Sequence, residues 1–268
     1  MTRKMKHTIL CTLLFCLSAF SSYSQVFKNS DLTVSLLGDK SWVIETSDHT
    51  TMYLIEGTKR ALLIDTGTRC DSLDRIIGRL TSKPYDVVIT HGHGDHAGNI
   101  RYFKSIYMHA DDKGFIYNYT GKINYVKDGD VFDLGNKKIE VKHMPAHTPG
   151  SIVLVDWAAK CCYTGDAFGS NEVWLQLSPF APMQTYVNSC LKMEALMDKG
   201  IPDLYCGHYY YVKGAFHKDY IETMKKLATD IATGKVEESK PYTKNNYPKA
   251  RILSSGNTAI VYDPAHIK

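Results

Sequence analysis

Four side chains of metal-ligand type fall within six residues, at His91, His93, Asp95 and His96 of the stretch Thr90-His-Gly-His-Gly-Asp-His-Ala-Gly. Imidazole and carboxylate are the donors that divalent transition metals take at nitrogen and oxygen sites. In an extended stretch alternate side chains point the same way, so His91 and His93 can hold one ion. Asp95 and His96 fall past the turn and can face a second. Gly92 and Gly94 free the backbone to bend that tightly. Three further ligand types stand where an apolar run ends, each beside glycine or proline: His147 in Pro145-Ala-His-Thr-Pro-Gly-Ser, Asp166 in Tyr163-Thr-Gly-Asp-Ala-Phe, and His208 in Cys206-Gly-His-Tyr. Any one of them alone would be read as structural. Beside the loop at 91–96 they make a ligand set.

The surrounding chain supplies the elements that must position them. Residues 42–45, 52–55 and 61–65 read as strands between glycine or polar turns. A helix is predicted over 72–80, where Leu73, Ile76, Ile77 and Leu80 recur at helical spacing and Pro84 follows. Residues 85–90 form a strand that runs directly into His91. The second half repeats the style, with strands at 138–141, 152–155, 161–164 and 203–206, helices at 185–197 and 215–232, and a final β segment around 252 and 260–262. Two β-rich halves with outer helices predict an α/β fold, a four-layer α/β/β/α sandwich spanning residues 25–268 as one domain.

Composition sets the outer limits. The chain has 268 residues, 44% apolar and 22% charged, enough to bury a sizeable core. Lysine and arginine exceed aspartate and glutamate by 32 − 28 = 4, but Arg3, Lys4 and Lys6 account for three of these. Without the first 24 residues the balance is 29 − 28 = +1, which excludes nucleic-acid binding driven by net charge. Those 24 residues have a basic start, an apolar run over 9–20 and a small, polar end at Ser22-Tyr23-Ser24. That is the layout of a secretory signal cleaved before Gln25, so the mature protein is expected in the periplasm or outside the cell. About 12 apolar residues fall short of the roughly 20 a bilayer span requires, so no stable membrane anchor is expected. Cys11 and Cys16 leave with the signal. Cys70, Cys161, Cys162, Cys190 and Cys206 remain, an odd set without small-scaffold spacing, and no disulfide framework is expected.

The ordered set Asp65-Thr-Gly, His91-x-His93-x-Asp95-His96, His147, Asp166 and His208 resembles the motif series of the metallo-β-lactamase-fold superfamily, over residues 32–262. The resemblance implies that His91, His93 and His147 bind a first metal ion. It implies that Asp95, His96 and His208 bind a second, that Asp166 bridges both, and that Asp65 braces the histidine loop. Two zinc ions are the expected cofactor, with iron or manganese as alternatives. Three imidazoles on one ion leave a position open for chemistry. The implied reaction is attack of a metal-bridging hydroxide on a carbonyl or phosphoryl centre of a small molecule, with Asp95 orienting it and passing a proton to the leaving group.

Departures within the family narrow the reaction. Flavin-linked diiron reductases of this fold carry glutamate where this chain has His93. The bridging Asp166 and the Thr148-Pro-Gly-Ser turn are similar to glyoxalase II, lactonases, acyl thioesterases and phosphodiesterases. Ester, lactone, thioester or β-lactam hydrolysis is therefore expected, with phosphodiester hydrolysis or an iron-dependent persulfide dioxygenase reaction as alternatives. The apolar stretch 169–183 is expected to give Trp174, Leu175, Leu177 and Phe180 to a substrate pocket. One of Tyr209, Tyr210 and Tyr211 could donate to the substrate carbonyl. His49, His109, His143, His217 and His266 have no place in the series, and His143 is read as a surface residue at a strand end.

Overall fold

The computed structural model describes residues 25–145, 147–175, 177, 181–244 and 247–268. The expected export signal and Phe180 lie outside them. Eight strands follow one another in space as in sequence to make a first sheet: β1 (Gln25–Lys28), β2 (Leu32–Gly38), β3 (Ser41–Thr46), β4 (Thr51–Glu56), β5 (Ala61–Ile64), β6 (Tyr85–Val88), β7 (Ser105–His109) and β8 (Lys122–Val126). The first five form an antiparallel meander, and pairing from β5 to β8 is parallel. A parallel pair needs a crossover, and helix α1 (Leu73–Leu80) supplies the one between β5 and β6. Its buried Leu73, Ile76 and Ile77 pack with Leu54, Leu63 and Val87 on the sheet's outer face. After β6 the histidine loop ends in α2 (Gly94–Ala97), a single turn.

A second sheet takes β9 (Val131–Asp133), β10 (Lys138–His143), β11 (Ile152–Asp156) and β12 (Cys161–Tyr163). The chain then leaves through β13 (Glu172–Leu175) and returns by α3 (Met183–Asp198) to β14 (Asp203–Tyr205), which lies parallel to β12. Helix α4 (Lys218–Ala232) packs with α3 over the outer face. Between the sheets, Val43, Tyr53, Ile55, Leu62 and Ile64 meet Ile139, Val141, Ile152, Leu154 and Tyr163. This is the expected α/β/β/α order. Strands β4, β5 and β11 are buried at every residue because each is covered on both faces, which is why they read as continuous apolar runs.

A third sheet, in the order β13-β17-β16-β15, was not foreseen. It joins β13 to β15 (Lys240–Pro241), β16 (Arg251–Ser255) and β17 (Thr258–Tyr262). The stretch 169–183, expected to line a substrate pocket, is in part a strand, held parallel to β17 from Glu172 to Leu175. Cys161 and Cys162 lie in buried β12 as expected, and burial pushes the Cys161 thiol up to about 12. Among the described residues no helix is long and apolar enough to cross a membrane.

Candidate metal centre

The ends of β5, β6, β10, β12 and β14 deliver Asp65, the histidine loop, His147, Asp166 and His208 to one edge of the sandwich. Asp65 is the hub. Its Oδ1 accepts from the Thr90 amide at 2.7 Å, and its Oδ2 accepts from the Thr90 hydroxyl at 2.8 Å and from His96 Nδ1 at 2.8 Å. The Thr90 hydroxyl, its proton given to Asp65, lies 3.2 Å from His91 Nδ1 and accepts from it. One buried carboxylate thereby orients two histidines through their Nδ1 atoms and turns each Nε2 toward the clusters.

His147 is fixed from another side, by an Nδ1 hydrogen bond of 2.8 Å to the carbonyl of Trp174. His208 Nδ1 donates in the same way to the carbonyl of His49 at 3.1 Å. Two clusters result. His91, His93 and His147 converge, with His93 Nδ1 and His147 Nε2 3.0 Å apart. Asp95, His96, Asp166 and His208 form the second, where Asp166 Oδ1 is 3.3 Å from His96 Nε2 and Asp166 Oδ2 is 3.2 Å from His208 Nε2. Asp166 Oδ2 also lies 3.7 Å from His147 Nε2, so this carboxylate faces both groups. At Gly207 a Cβ would fall on Asp166 Oδ1 and 2.7 Å from His96 Cε1, so only glycine fits beside His208.

The donor set fits metal ions on the molecule's own terms. His91 Nε2, His96 Nε2 and Asp166 Oδ1 are buried and make no hydrogen bond, and buried polar atoms without partners are rare unless something else satisfies them. Burial, then the neighbouring His96, holds the His91 imidazole well below the usual range, and burial with the His147 ring brings His93 down to about 4. Both are neutral lone-pair donors at pH 7. Against the opposing effect of burial, Asp166, Asp95 and Asp65 hold His96 well above its ordinary value, and Asp166 raises His208. The same pairing, again against burial, holds the Asp166 carboxyl well below the carboxylate range.

The match to known families decides the lineage. Residues 46–208 match the family model described as the metallo-beta-lactamase superfamily. The chain belongs to that superfamily. It is 27% identical over 213 residues to the acyl-coenzyme A thioesterase MBLAC2 of Gallus gallus, a match covering 64% of this chain and 76% of the relative. It is 28% identical over 158 residues to the hydroxyacylglutathione hydrolase of Francisella philomiragia, covering 59% of this chain and 62% of that relative. In fold it is similar to the metallo-beta-lactamase of Erythrobacter litoralis, with a TM-score of 0.60 at 15% identity over 77% of this chain and all of that one. The protein is a metal-dependent hydrolase of the metallo-beta-lactamase superfamily with a metal-binding His/Asp cluster.

In this superfamily member a cleft of about 830 Å³ opens over His93, Asp95, His147, Asp166 and His208. Trp174 lines it, as expected. Leu175 does not: successive residues of a strand face opposite ways, and Leu175 is buried in the core under α3 and α4. Tyr209 is likewise drawn into the core between the two sheets, and Tyr211 stands on the cleft instead. Tyr242 and Tyr247 complete the aromatic wall, with ring centroids 6.0 and 5.7 Å from Trp174. Glu172 ties this wall together, accepting from the Tyr242 hydroxyl at 2.6 Å and from Trp174 Nε1 at 3.1 Å.

Sequence reasoning missed Asp112. Fully buried, it accepts from the Gly92 amide at 2.8 Å, the Thr148 hydroxyl at 2.7 Å and the Gly150 amide at 2.6 Å. It therefore ties the loop of His91 and His93 to the turn of His147. Its only sequence signal is a carboxylate in the turn Ala110–Phe115 after β7, which is common on any surface.

Proposed function

We propose that the protein hydrolyses an acyl thioester or ester of a small molecule, using two zinc ions held by His91, His93 and His147 and by Asp95, His96 and His208, with Asp166 between them. The observation that carries this reading is the cleft, in which an aromatic wall faces both ligand clusters across one cavity. When bound, the ions would lower the pKa of a water and polarise a carbonyl oxygen. The protein's own residues set the rest.

Asp95 is partly open to the cleft, and its Oδ2 is 3.6 Å from both His96 Nε2 and His208 Nε2. It is placed to orient the attacking water, take its proton and hand that proton to the leaving group. Trp174, Tyr242 and Tyr247 offer flat apolar surface to the acyl or leaving part of the substrate and exclude water from it. A thiolate leaves with an aqueous pKa of about 8.5 and needs little protonation, so a single acid such as Asp95 suffices. The named activities of the two relatives, on acyl-coenzyme A and hydroxyacylglutathione, support the thioester. The basic, apolar and polar blocks of residues 1–24 support export to the periplasm or medium.

The test is a substrate panel on the mature, zinc-loaded protein with Asp95→Asn as control. It comprises an acyl thioester, an aryl ester, an acyl homoserine lactone, a carbapenem, a phosphodiester and, with iron loaded, a persulfide. Thioester or ester turnover well above the control is expected. Turnover confined to the phosphodiester, or oxygen uptake with the persulfide, would overturn the reading.

A further inference from the structure

A second group of ligand-type side chains lies outside the cleft, where the two sheets meet. His109 ends β7 of the first sheet, His143 ends β10 of the second, and Asp111 stands in the turn that follows His109. The two imidazoles stack with centroids 3.9 Å apart and planes 11° from parallel. One donor atom from each of the three residues lies within 4.8 Å of the other two. None of the three lines the cleft.

Hydrogen bonding fixes what these rings present. His143 Nε2 is 2.8 Å from the carbonyl of Pro149 and must donate to it, which leaves Nδ1 of that ring as a lone pair. A backbone carbonyl on the far nitrogen is the usual partner of a metal-bound imidazole. His109 Nδ1 accepts from the Asp111 amide at 3.3 Å, a long hydrogen bond whose lone pair a metal ion would take over. Asp111 Oδ2 stands 3.6 Å from that same nitrogen. Two imidazole nitrogens and a carboxylate oxygen thus stand close enough for one cation to take a donor from each.

We propose that His109, Asp111 and His143 bind a divalent transition-metal ion of the zinc class, distinct from the ions of the cleft. Two imidazoles and a carboxylate are the donors of such ions, whereas calcium and magnesium take oxygen. The rings meet the ion by turning their nitrogen edges toward Asp111. The Asp111 side chain is exposed, so water fills the remaining positions and exchange with solvent is free. An ion here joins β7 to β10, and through Pro149 it steadies the turn that carries His147.

The test compares zinc content by elemental analysis after equilibrium dialysis of the native protein, His109→Phe and Asp111→Asn. Phenylalanine keeps a ring against His143 and removes the nitrogens, and Asp111 is exposed enough for the second variant to fold. The native protein should hold one equivalent more than either variant, and zinc should raise its Tm further than that of Asp111→Asn. Equal zinc content in all three, or a site that takes calcium in preference to zinc, would overturn the proposal. The cleft ligands are the same in every sample, so the difference stands or falls independently of the hydrolase reading.

Discussion

The carbonyl oxygen of Trp174 accepts a 2.8 Å hydrogen bond from Nδ1 of His147, while the indole of the same residue walls the cleft. The backbone serves the metal ligand and the side chain serves the substrate, so the two roles separate by mutation. Trp174→Ala keeps the carbonyl. Metal content should be unchanged, while KM rises by about tenfold, roughly 1.4 kcal/mol of lost apolar contact, with a smaller change in kcat. Steady-state kinetics with elemental analysis checks this, and loss of metal would show that the strand depends on the indole.

Asp65 reaches both clusters, through Thr90 to His91 and directly to His96. Asp65→Ala should therefore weaken both metal equivalents, by about 10- to 100-fold each. Competition with a chromophoric chelator measures the two affinities. An effect on one equivalent alone would contradict the shared brace.

Among the described residues Asp112 hydrogen-bonds at Gly92, between His91 and His93, and at Thr148 and Gly150 beside His147. Asp112→Ala leaves two buried amides without acceptors and should cost about 1–3 kcal/mol of stability. In the same chelator titration it should loosen the equivalent held by His91, His93 and His147 and spare the other. Denaturant unfolding of the metal-free protein supplies the stability.

Metal binding should release protons unequally. In the metal-free protein His91 and His93 lie below the usual imidazole range and are neutral at pH 7, while, against burial, Asp166 holds His96 and His208 above theirs, so these two keep a proton to higher pH. Filling the second cluster should displace more protons than filling the first. Affinity of the second equivalent should therefore rise with pH through the neutral range more steeply than that of the first, in which His93 protonates only toward about 4. Calorimetric titration in buffers of different ionisation enthalpy counts the protons, and equal release at both steps would contradict the assignment.

The ligand loop was legible because its chemistry is local: four donors and two glycines within Thr90-His-Gly-His-Gly-Asp-His determine its shape over a few residues. The strands β4, β5 and β11 were legible for a similar reason, each being built around a continuous apolar run. What supports the site was not. The acceptors for His147 and His208 are backbone carbonyls of Trp174 and His49, which carry no residue-type signal at all. Asp112 meets Gly150 across 38 positions. The pocket was misread at Leu175 because an apolar stretch does not tell which alternate residues face the core until its strand partner is known, and at Tyr209 because three successive tyrosines do not tell which of them the turn buries. For Leu175 that partner is β17, some 85 residues on.

The most direct test of the hydrolytic centre is thioester turnover by the mature protein after its metal is stripped by chelation, then followed as zinc is returned. Activity should vanish on stripping and return with added zinc in the native protein, while Asp95→Asn, equally loaded, should stay at least about a hundredfold slower. Full turnover by the stripped protein, or native rates from Asp95→Asn, would contradict a metal-dependent centre with Asp95 as its proton carrier.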